Sequence, residues 1–207
     1  TCSSDQPSIS ADGTRIAFYS CGTNLVAGYS GSGYHQVYVW EAGAVTLVSH
    51  TASSSTTGGN AQSFTPSLSA DGSRIAFTSS ASDLVAGYSG GDYQIYVWEA
   101  GTVTLISHDV GSATTGANCY TDLSTISADG TRIAFRSCAS NLIAGYGGSG
   151  DYQVYVWASG ALSLLSHDLA NPAVAGNGYS ELAAISADGS TMVFTSQANN
   201  LVSGDAG

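Results

Sequence analysis

A ten-residue phrase running from Ile9 to Phe18, with Ser-Ala-Asp-Gly near its start, recurs at Leu68 to Phe77, at Ile126 to Phe135 and, more loosely, at Ile185 to Phe194. The intervals are 59, 58 and 59 residues. A fixed period of this length restricts a chain to stacked supersecondary units, each too small to bury its own apolar face. The 207 residues therefore hold three full repeats and the start of a fourth.

Within a repeat the pattern reads as four short strands. Ser8 to Ala11 leads into an Asp12-Gly13 turn and Arg15 to Tyr19 leads out, an arrangement that signals a hairpin. A Gly- and Ser-rich loop from Cys21 to Tyr34 precedes Gln36-Val37-Tyr38-Val39-Trp40, β-branched or aromatic at nearly every position, as in a strand buried on both faces. Glu41-Ala42-Gly43 makes a second tight turn, Val45 to Val48 is the fourth strand, and Ser49 to Thr65 connects to the next unit. No helical periodicity of useful length appears. The expectation is an all-β chain with units at about 7–50, 66–108 and 124–167 and a two-stranded half unit at about 183–207.

Ser-Ala-Asp-Gly-Thr-Arg-Ile-Ala-Phe followed by Gln-Val-Tyr-Val-Trp and a Gly turn resembles the TolB-type, WD40-like (PD40) β-propeller repeat. That resemblance implies four-stranded antiparallel blades: three complete, the fourth a half blade. It departs from the family pattern at Ala11, Ala70, Ala128 and Ala187, where Pro is usual. It says little about function, because propellers host many unrelated activities.

The cysteines follow the repeat. Cys2 and Cys21 align with Cys119 and Cys138, each pair 19 apart, while the other two repeats carry Ala61 with Ser80 and Gly178 with Gln197. Both cysteines are present or both absent, as bonded partners would be. A two-residue Asp12-Gly13 turn leaves Cys2 and Cys21 two residues out of register, a mismatch that one bulge or a splayed strand end absorbs. Metal ligation and free thiols are the alternatives, but the spacing makes a poor zinc site. Two disulfides, Cys2–Cys21 and Cys119–Cys138, are expected, and with them an oxidising compartment. Secretion or the periplasm follows. The opening at Thr1, with no Met and no basic-then-apolar leader, reads as an end left by signal-peptide removal.

Charge excludes one partner class. The chain has no Lys, four Arg and a net charge of −11, the reverse of what phosphate backbones attract. No apolar run reaches the roughly 18–20 residues of a membrane-spanning helix. Nucleophile elbows, phosphate loops and metalloprotease motifs are missing from the sequence, so no enzyme activity is expected. Asp12, Asp71, Asp129 and Asp188 are explained as turn residues, and Arg15, Arg74 and Arg132 beside them as partners of nearby acids.

In a propeller the second-to-third loop and the connector open on one face, and here both are long. The loops carry Tyr29 and Tyr34, Tyr88 and Tyr93, and Tyr146 and Tyr152, amphipathic rings among Ser and Gly that suit sugars or proteins. Three identical placements favour a structural role, in which the recurring tyrosines pin each loop to its blade. His50, His108 and His167 sit at one equivalent position on separate blades, so they read as connector caps rather than a metal site, and His35 stands alone. A calcium reading rests on Asp83 with Asp92, on Asp151 and on Ser203-Gly204-Asp205-Ala206-Gly207, too few carboxylates for a cation that takes six to eight oxygens. No cofactor is expected.

Three and a half blades cannot close a ring, and a half blade leaves an edge and an apolar face bare. The expected function is a secreted, non-enzymatic module for protein–protein assembly, covered by copies of itself or by a partner. A glycan-binding module using the loop tyrosines is the alternative, and a piece of a longer propeller with its site elsewhere is a second.

Overall fold

A computed structural model describes residues 2–148 and 150–203. Among them there is no helix and there are twenty strands. The first blade contains β1 (Ser4–Ile9), β2 (Arg15–Ser20), β3 (Gln36–Glu41) and β4 (Ala44–Leu47), hydrogen-bonded in that order and antiparallel throughout. A small hairpin, β5 (His50–Thr51) with β6 (Ser54–Gly58), follows. The second blade is β7 (Ser63–Leu68), β8 (Arg74–Ser79), β9 (Gln94–Glu99) and β10 (Thr102–Leu105), with hairpin β11 (His108–Asp109) and β12 (Ser112–Gly116). The third is β13 (Thr121–Ile126), β14 (Arg132–Ser137), β15 (Gln153–Ala158) and β16 (Ala161–Leu164), with hairpin β17 (His167–Asp168) and β18 (Asn171–Ala175). Strands β19 (Ser180–Ile185) and β20 (Met192–Ser196) form the half blade. The chain thus has the all-β, propeller-type architecture that the repeat implies.

Two details differ from the sequence expectation. The first strand of each blade starts earlier and ends at Ile9, Leu68 or Ile126, with five residues rather than a two-residue turn before the second strand begins. Asp12 closes that loop: its Oδ1 accepts hydrogen bonds from the Ser10 hydroxyl (2.7 Å), Thr14 N–H (3.0 Å) and the Thr14 hydroxyl (2.9 Å), while Gly13 takes φ +73°. The register is the one the turn dictates, with Ile9 opposite Ile16, and a bulge between Asp5 and Ser8 shifts it by one residue. That bulge takes up one of the two residues by which Cys2 and Cys21 are offset, and both disulfides are formed, each with Cα atoms 5.3 Å apart. The connectors, expected as loops, carry the small hairpins. Their sequence is mostly Ser, Thr and Gly, so no apolar alternation announces them.

Blades pack face to face. One apolar cluster joins Ala17, Val37, Val39 and Val48 of the first blade to Ile75, Phe77, Tyr96 and Leu105 of the second. Another joins Ala76, Ile95, Val97 and Ile106 to Ile133, Phe135, Tyr155 and Leu164. Strand β7 packs against both β1 and β13, whereas the fourth strands of adjacent blades are not among the main packed pairs. The blades therefore fan outward from their first strands. Gln94 is fully buried in the connector region: its Nε2 donates to Ala117 O and Gly91 O, and its Oε1 accepts from the Ser107 hydroxyl and Ala117 N–H. Gln36 and Gln153 repeat most of this arrangement.

Candidate functional site

Both long segments of each unit lie on one face and are tied together by an isolated parallel bridge, Ser30 with Thr57, Ser89 with Thr115 and Gly147 with Val174. The six loop tyrosines separate into groups on this face. Tyr29, Tyr88 and Tyr146 are half-buried and turn back onto their own blade. The Tyr88 ring lies 6.5 Å from that of Tyr96, and a Cβ on Gly116 would come within 2.9 Å of the Tyr88 hydroxyl oxygen, so the connector backbone needs glycine there. Burial pushes the Tyr88 and Tyr146 hydroxyls above the usual phenol range. Tyr34 is exposed and stands one residue before His35, at the place taken by Asp92 and Asp151 in the next repeats.

Tyr93 and Tyr152 have other company. Each precedes the third strand of its blade, in the position His35 holds in the first, and each points toward the residue that precedes the next blade. Ring centroids run from Phe64 to Tyr93 at 5.1 Å, Tyr93 to Tyr120 at 5.0 Å, Tyr120 to Tyr152 at 6.4 Å and Tyr152 to Tyr179 at 5.8 Å. The arc continues in polar form through the first blade: Tyr19 meets His35 edge-on at 5.2 Å, and the His35 nitrogens lie 3.4 Å from Gln62 Oε1 and 3.5 Å from the Ser3 hydroxyl. His35 is therefore not alone, as the sequence reading had it.

Arg136 anchors the far end. Its Nε and Nη2 donate to the two Asp122 oxygens at 2.6 and 3.2 Å, its Nη1 faces Glu181 at 3.4 Å and bonds the Tyr179 hydroxyl, and its guanidinium lies 4.8 Å from the centre of the Tyr152 ring. The hydrogen bond to Asp122 raises the arginine pKa further, and desolvation pushes the Tyr120 and Tyr152 hydroxyls above the usual phenol range. The inner end of the arc opens into a cleft of about 400 Å³, formed by the first three blades.

Sequence reading missed Tyr19, Phe64, Tyr120, Tyr179 and Arg136. The available signal was positional: aligning the repeats puts Gln62, Tyr120 and Tyr179 at one site and His35, Tyr93 and Tyr152 at another. Arg136 is also the arginine that falls outside the turn register.

The remaining candidates have local roles. His50, His108 and His167 each bond the carbonyl of the following residue through Nδ1, at 2.8, 2.9 and 2.8 Å, and so cap the connector hairpins. Arg15 and Arg74 pair with Glu41 at 2.8 Å and Glu99 at 3.0 Å. Among the described residues no group of three His, Cys, Asp or Glu converges as a metal site. Gly204 to Gly207, which carry part of the calcium reading, lie outside the described residues.

No protein-family model and no curated protein matches the sequence. Solved structures do. TolB from Acinetobacter baumannii is similar over 93% of this chain and 37% of its own length, at 20% identity and a TM-score of 0.49. A putative TolB from Agrobacterium tumefaciens is similar over 79% of this chain and 49% of its own, at 19% identity and a TM-score of 0.47. A prolyl endopeptidase is similar over 89% of this chain and 24% of its own, at 17% identity and the same TM-score of 0.47. The chain thus spans less than half the length of each of these proteins.

Proposed function

We propose that this chain is a secreted, non-catalytic β-propeller module that works by lateral association of blades, its partner being a second copy joined head to tail. The observation that carries this reading is a ladder of backbone hydrogen bonds with one direction. Ala11 N–H donates to Ala70 O, Ala70 N–H to Ala128 O, and Ala128 N–H to Ala187 O, each at 2.8 Å. Among the described residues no amide donates to the Ala11 carbonyl of the first blade. Among the described residues Ala187 N–H finds no acceptor.

Other parts of the three junctions have the same polarity. Connector amides of Ala52, Val110 and Leu169 donate to carbonyls of Asp83, Asn141 and Asn200 on the next blade. Asn24 occupies the corresponding accepting place on the first blade, exposed and unmatched among the described residues. Apolar groups agree. Ile9 is 61% exposed where its counterparts Leu68 and Ile126 are 8% and 6%, and Val193 is 57% exposed where Ala17, Ala76 and Ala134 are wholly buried. One edge offers acceptors and an uncovered isoleucine; the other offers a donor and an uncovered valine. Burying such a side chain contributes about 1.5–3 kcal/mol toward contact between matching edges. The two disulfides support an extracellular setting.

Sedimentation velocity tests the reading. The wild-type chain is expected to sediment above its 20.9 kDa monomer mass as concentration rises, and Ala187→Pro, which removes the donor, is expected to return it toward monomer. A single monomeric species across the concentration range would overturn the proposal.

A further inference from the structure

The cleft at the inner end of the aromatic arc is a different surface from the blade edges, and its chemistry is specific. We infer that it binds a neutral saccharide, with a sugar face laid against Tyr19 or Phe64 and its hydroxyls bonded by the surrounding amide, imidazole and hydroxyl groups. At about 400 Å³ it falls in the range of small-ligand clefts, roughly 300–1,000 Å³.

The walls come from three blades. Tyr19 packs edge-on against His35, and Phe64 packs at a tilt against Tyr93, so each ring rests on a neighbouring ring. A rigid aromatic ring supplies apolar area at little entropic cost, which is what the C–H face of a pyranose requires. Around the rings stand Gln6, Gln62 and Thr65, neutral groups that both donate and accept. His35 holds its two partners only at 3.4 and 3.5 Å, close to the limit of a hydrogen bond, and so keeps capacity for a ligand hydroxyl.

Charge selects against the other ligand classes. Asp122, the carboxylate on the cleft wall, is already paired with Arg136. Arg15 and Arg74 hold turn carbonyls of the following blade, Gly72 and Gly130, at the opposite end of the strands. Among the described residues no arginine lines the cleft to receive a phosphate, sulfate or uronate. Asp5 lies beside Tyr19, with its Oδ1 occupied by Gln6 N–H at 2.7 Å. Its charge makes a cationic ligand the competing outcome.

Backbone conformation adds an independent mark. Gln6, Thr65 and Leu123 sit at the same bulge position in successive blades, all three line the cleft, and all have left-handed φ values of +48°, +52° and +52°. A non-glycine residue held there costs on the order of 1–3 kcal/mol, and for β-branched Thr65 the conformation is a true outlier. Bulges re-aim side chains. Here three of them line one cleft, with the Thr65 hydroxyl donating to Thr78 Oγ1 at 3.0 Å.

The test is an immobilised array of neutral glucan, mannan, galactan and chitin oligosaccharides, with polygalacturonate and tetralysine as charged comparisons, followed by calorimetric titration of the strongest binder. Binding of at least one neutral oligosaccharide is expected, weakened about tenfold in Phe64→Ala, the loss of one aromatic face. Leu123→Lys, a change at an exposed position that leaves the core alone, is expected to obstruct the cleft and weaken binding likewise, which keeps the test valid should Phe64→Ala unfold. Tyr34→Ala lies outside the cleft and should change nothing. An array without binding, binding indifferent to Leu123→Lys, or binding confined to polygalacturonate or tetralysine would each overturn the inference.

Discussion

Asp12 and its three counterparts hold their turns together by accepting hydrogen bonds, and that role sets how the fold meets acid. Bonds from Thr14 N–H and then from the Ser10 and Thr14 hydroxyls lower the Asp12 pKa from the ordinary 3.8 to about 2. The Ser186 hydroxyl, ahead of Ser190 N–H, does the same for Asp188, also to about 2. Asp71 and Asp129 are lowered for the same reason, with Ser69 and Ser127 the leading donors. A depressed folded pKa contributes stability that is complete above the unfolded value and is lost as pH falls through the folded one. Circular dichroism should therefore show stability declining between about pH 4 and pH 2. The Asp12→Asn/Asp188→Asn variant should be weaker at neutral pH and less sensitive within that window; an identical acid profile would refute the assignment. Gln94 makes a second residue-scale case. Replacing it with Leu leaves the buried Ala117 amide and carbonyl without their side-chain partner, so thermal unfolding should show a loss of about 3 kcal/mol.

Elements show where the sequence was legible. The Asp-Gly turns and the apolar phrase around Phe18 specify the hairpin register, and the paired cysteines report it a second time, because hydrophobic alternation and turn chemistry are local signals. The connector hairpins were not legible, since β5 and β6 are Ser- and Thr-rich and are held by backbone bonds to neighbouring loops. The aromatic arc was hidden for another reason. It is assembled from His35, Tyr93 and Tyr152 on one side and Gln62, Tyr120 and Tyr179 on the other, which meet only when blades pack. The bulge residues carry no glycine to mark their left-handed backbone. Turn glycines yield a prediction at this scale. Gly72 has φ +69°, and a Cβ there would lie 2.5 Å from Arg15 Cδ of the preceding blade, whereas Gly28, at φ +73°, has open space around it. Gly72→Ala should cost clearly more than Gly28→Ala, whose penalty is the dihedral alone at about 1 kcal/mol. Equal losses would mean that the arginine contact is unimportant. Each disulfide closes a loop across a sequence separation of 19, worth about 3 kcal/mol in a chain-entropy account. Reduction should lower the melting temperature without changing the strand signal at ambient temperature.

At the scale of the whole molecule the blades are near-copies, yet their surroundings differ. The second is covered on both faces, by Ala17 and Val37 on one side and by Ile133 and Phe135 on the other. The half blade is covered on one, and its Val193 is open to solvent. Arrays of this kind gain stability from nearest-neighbour interfaces as well as from each unit, so opening is not uniform along the chain. Amide hydrogens of β8 and β9 should exchange with deuterium slowest, those of β1 and β2 faster, and those of β19 and β20 fastest. Mass spectrometry of exchanged peptides would measure that order directly. The one-way ladder of turn hydrogen bonds then acquires a kinetic meaning: it is a zipper with a free tooth at Ala187, and whatever docks on that tooth should slow deuterium uptake in β20 before it alters any other strand.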